Sequence, residues 1–108
     1  MKIIKLIEQL SGYSQFREGA GRVNGENEAP LEVLIADAKK EGFNLIGLDV
    51  AEIHDAVTET PYQSPVILLF NQRQDRHAVI SQKLNKALGY LYRLDTYELS
   101  GEVNQNGK

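Results

Sequence analysis

Apolar residues at Ile3, Ile4, Ile7 and Leu10, with Leu6 widening the stripe and Lys2, Lys5, Glu8 and Gln9 opposite, fall at helical spacing. This pattern predicts a first helix that Gly12 closes. Residues 13–29 hold almost no large aliphatic side chain but contain Gly19, Gly21 and Gly25, so a mobile surface loop is expected there. Pro30 then stands at a first helical position, and Leu31, Leu34, Ile35 and Ala38 repeat at i, i+3, i+4, i+7 until Gly42. A second helix over residues 30–41 follows.

Residues 43–48 alternate as a short strand, and Asp49 is placed to cap a turn or two of helix carrying Val50, Ile53 and Val57. Pro61 and Pro65 bracket a loop. The continuous run Val66-Ile67-Leu68-Leu69-Phe70 then reads as a central strand buried on both faces. Residues 75–94 admit two readings. As a helix, Ile80, Leu84, Ala87, Leu88 and Leu91 form its stripe; as a hairpin around Asn85-Lys86, residues 77–84 and 88–94 are strands with Tyr90, Tyr92 and Leu94 on one face. Together these elements predict an α+β domain over residues 1–100: a small antiparallel or mixed sheet with two main helices packed on it, followed by a frayed tail over 101–108.

The composition fits one such module, since the chain has 108 residues, 42% hydrophobic and 25% charged. It has no cysteine, which excludes disulfides, thiolate metal sites and a cysteine nucleophile. The amphipathic opening is not a targeting segment, and no run approaches the roughly 20 apolar residues that span a bilayer. Cytoplasmic residence without membrane insertion is the expectation.

Net charge is −3 but unevenly placed. Residues 26–59 carry nine acids against Lys39 and Lys40, whereas residues 73–93 carry five bases against Asp75. The acidic stretch, with Glu32, Asp37 and Asp55 as its candidate contacts, suits an inhibitor or immunity-type antagonist that covers a basic site or mimics nucleic acid. Nucleic acid as a partner is disfavoured. A helix-turn-helix placed on Ala38, Gly42 and Leu48 would present acids and no base-reading side chain. Gly19-Ala20-Gly21 lacks the Lys-Ser/Thr pair of a phosphate loop, and neither the two histidines nor the acids near Pro30 form a metal-ligand pattern, so no cofactor or metal is expected.

His77 opens the apolar run Ala78-Val79-Ile80 at the rim of the sheet, and a strand return could bring Asp95 beside it. A histidine oriented by an aspartate is the base half of a nucleophilic triad; a hydrogen-bonded packing residue is the other reading of the same position. Arg76, Tyr90 and Tyr92 accompany this pair as candidate binding residues.

The order of segments from the helix over residues 30–41 through Gly42-Phe43-Asn44-Leu45, Ser64-Pro65-Val66-Ile67-Leu68-Leu69, Arg76-His77-Ala78-Val79-Ile80 and Tyr90-Leu91-Tyr92-Arg93-Leu94-Asp95 resembles the bacteriocin-processing, papain-like peptidase domain of peptide-exporting transporters. The resemblance covers roughly residues 30–100 and implies a triad histidine and aspartate at His77 and Asp95, with a nucleophilic cysteine on an N-terminal helix. This chain has neither that cysteine nor the Gln-Cys-Gly signature, and Ser11 and Ser14 are the nearest hydroxyls. What the degenerate members of that family imply is a non-catalytic module that docks a protein or extended peptide, possessing no enzyme activity.

Overall fold

The computed structural model describes residues 1–15, 30–56, 60–85 and 89–99. Its first segment is extended: β1 spans Lys2–Gln15 and is followed by α1 (Pro30–Lys40), β2 (Asn44–His54), β3 (Tyr62–Asn71), β4 (Arg76–Asn85) and β5 (Gly89–Leu99). The strands close into a barrel in the order β1-β2-β3-β4-β5. Every ladder is antiparallel except that of β1 with β2, a parallel seam that pairs only Lys2 through Lys5 with Ala51 through His54.

The expected α+β sheet with two main helices is therefore wrong: the described fold is a five-stranded barrel carrying one helix. The error began in residues 3–10, where two register shifts in β1, between Leu6 and Glu8 and between Gln9 and Ser11, each insert an extra residue. Ile4 and Leu6 pack into one core layer and Leu10 into the other. Bulges that move a strand's apolar residues between faces produce spacings of three and four, which imitate a helix. The helix capped by Asp49 is likewise β2. Asp49 Oδ1 does accept the Val50 N–H at 2.8 Å, but Ala51 and Ile53, alternating at period two, are the buried residues. Val57 lies outside the described residues.

The region 75–94 resolves as the hairpin, with residues 86–88 outside the description. Residues 13–15, expected in the loop, belong to β1, while the remainder of that loop and the tail 101–108 lie outside the described residues. α1 matches the expected helix to within a residue. Gly42 ends it in the left-handed region at φ 96°, and Asn71 Nδ2 donates to the Glu41 carbonyl at 3.0 Å beside it.

The run Val66 to Phe70 is central as expected, but β3 starts earlier, at Tyr62, and so contains Pro65 where a loop was expected. Proline removes a ladder donor. Beside it the Ser64 hydroxyl bridges β3 to β4, accepting the Gln82 N–H at 3.0 Å and donating to the Pro65 carbonyl at 2.6 Å.

Two apolar layers hold the molecule. Ile4, Ala51, Ile53, Val66, Leu68, Val79 and Tyr97, drawn from all five strands, fill the barrel. On the outer face Leu34 and Ala38 of α1 pack with Phe43, Leu69, Ala78, Ile80 and Leu94. Alternation along β3 sends Leu68 inward and Leu69 outward, which is why its apolar run is continuous. Among the described residues no helix is long and apolar enough to cross a membrane.

Candidate functional site

The hairpin of β4 and β5 sets the register that decides where the candidate residues lie. His77 stands opposite Tyr97, and Asp95 opposite Val79, so the two share the inward face of neighbouring strands, two positions apart. Arg76, Tyr90 and Tyr92 alternate to the outer face. The sheet thus divides the expected cluster. Arg76 reaches Glu8 at 3.5 Å, and the rings of Tyr90 and Tyr92 lie 6.3 Å apart, with Tyr92 packed on the α1 layer. Burial raises the Tyr92 pKa, and Tyr90 adds to the shift.

His77 sits in an aromatic tier across three strands, its ring centroid 4.8 Å from Phe70 and 5.5 Å from Tyr97. The tier borders an open depression of about 370 Å³. Asp95 does not orient this ring. Its carboxylate is 1% exposed and takes the Arg93 Nη2 donor at 2.7 Å on Oδ2, while Oδ1 has no hydrogen-bond partner. The hydroxyl that a serine nucleophile would use is also committed: Ser11 donates to Asp37 Oδ2 at 2.9 Å.

Sequence reasoning missed the partner that Asp95 does have. Arg93 points inward from β5 and its Nη1 meets Asp55 Oδ2 at 2.6 Å, so one guanidinium holds two carboxylates at an end of the barrel. Tyr62, hydrogen-bonded to Ser81, completes the polar end, and Lys83 Nζ lies 5.0 Å over its ring. Burial raises the Asp95 pKa despite the opposing hydrogen bond and charge of Arg93. Burial alone would lower that of Arg93, but Asp95 and Asp55 outweigh it and raise it. Burial likewise raises the Tyr62 pKa against the Ser81 hydrogen bond. These charges lock side chains in place.

The acidic candidates do not form one surface. Glu32 is exposed on α1 and Asp37 holds Ser11, whereas Asp55, its side chain 6% exposed, faces the interior ion pair. His54 and Glu52, which a helix would separate, share the outer face of β2 and bond at 2.7 Å.

A different feature stands open to a partner. β1 covers β2 only along residues 51–54, and among the described residues 44–50 of β2 pair with β3 alone. Among the described residues, one backbone edge of that stretch has no strand beside it. Its side chains are apolar and exposed: Leu45, Ile46, Leu48 at 74% and Val50. Leu48 and Val50 lie on the outer face, where Val50 is paired with the exposed Pro65 and Leu48 with Ile67. Native sheets blunt such edges with lysine, proline or a covering element; here Asp49 is the one charge, with Lys2 Nζ 3.8 Å away. The alternation of Leu48 and Val50 with Ala51 and Ile53 is readable in the sequence; that no strand would cover the first half of β2 is not. Comparison with protein-family models, curated proteins and solved structures returned no match to this chain.

Proposed function

We propose that this chain is a non-catalytic polypeptide-binding module that takes up an extended segment as an added strand along residues 44–50 of β2. The observation that carries the reading is the edge of that stretch that no described strand covers, bordered by exposed Leu45, Ile46, Leu48 and Val50. Unpaired N–H and C=O groups on such an edge supply affinity for any extended backbone, and alternate side chains supply selectivity. The rigid barrel behind it keeps the edge preorganised, which limits the ordering entropy lost on binding.

The test is to pan a displayed library of random nine-residue segments against the full chain and measure the enriched peptides by fluorescence anisotropy. Peptides should bind the wild type and lose at least about tenfold in affinity to the double variant Leu48→Lys, Val50→Lys, which removes about 1.4 kcal/mol. Bound peptide should slow amide exchange in residues 44–50. Failure to enrich any segment, or equal binding by a double variant of unchanged circular dichroism, would defeat the reading. The antagonist reading gains no comparable support, because Asp55 is turned inward.

A further inference from the structure

We draw no further inference here: the strongest candidate, the exposed apolar face that Leu48 and Val50 of β2 form with Pro65 of β3, belongs to the strand-addition site already described, and nothing in the structure shows which polypeptide covers it.

Discussion

Arg93 reaches across the barrel to Asp55, Nη1 standing 2.6 Å from Oδ2, and so ties β5 to the connection that follows β2. Those segments share no ladder. The ion pair is a direct tie between walls otherwise joined through the intervening strands, and Asp95 steadies the guanidinium from its own strand at 2.7 Å.

Arg93→Met should therefore destabilise the fold by about 3 kcal/mol, the low end for breaking a buried pair, because two nearly buried carboxylates lose their cation while the guanidinium itself is 28% exposed. Adding Asp55→Asn and Asp95→Asn should restore much of the loss. Urea unfolding of the single and triple variants checks both statements.

Asp95 sets a pH dependence of definite sign. Its pKa is raised by burial, so between its unfolded value, about 4, and its folded value the native state binds the extra proton. Its contribution to stability is then present at low pH and is lost as pH rises through the folded value. Asp95→Asn, which mimics the protonated form and keeps an acceptor for Arg93, should raise the melting temperature at neutral pH and lose that advantage as pH falls toward 4. Melting curves across this range would contradict the assignment if the variant were less stable at neutral pH and gained as pH fell.

Ser64→Ala should cost about 1 kcal/mol, since it removes the hydroxyl that bridges the part-buried Gln82 N–H to the Pro65 carbonyl. Hydrogen exchange gives the sharper reading: the Gln82 amide should accelerate, with little change at Ile80 beyond the global loss.

Gly42→Ala places a side chain at φ 96° with its Cβ 2.8 Å from Asn71 Nδ2, the group that holds the Glu41 carbonyl. A loss of about 1–2 kcal/mol is expected, larger than for Gly→Ala at a compatible backbone, where stability rises. Calorimetry of Gly42→Ala beside Gly47→Ala tests the contrast directly.

The parts of this fold legible in the sequence are those where one local rule operates alone. Pro30, the stripe Leu31, Leu34, Ile35 and Ala38, and Gly42 agree with one another, and α1 forms where they place it. Val66 to Phe70 reads as a doubly covered strand because α1 lies on one of its faces and the barrel lumen on the other. Where long-range pairing decides, the local pattern misleads. Bulges in β1 imitate a helix, and Pro65 reads as a loop residue although the Ser64 hydroxyl beside it ties that stretch to Gln82 of β4. The candidate site divides the same way. His77 and Asp95 do come to one face of adjacent strands, but the inward turn of Arg93, four residues after the hairpin strand begins at Gly89, commits the carboxylate elsewhere. The open edge of β2 depends on how far β1 extends beside it, a relation between distant segments that no local window contains.

The short parallel seam also has a consequence in time. β1 meets β2 over four residue pairs only, and its remaining partners lie on β5, where Ile4 pairs with Leu99. During synthesis the strand made first has its principal template made last, so Ile3, Ile4, Leu6 and Ile7 wait in solvent while the rest of the barrel is translated. Pairing of β1 with β5 therefore closes the barrel only once β5 has been made.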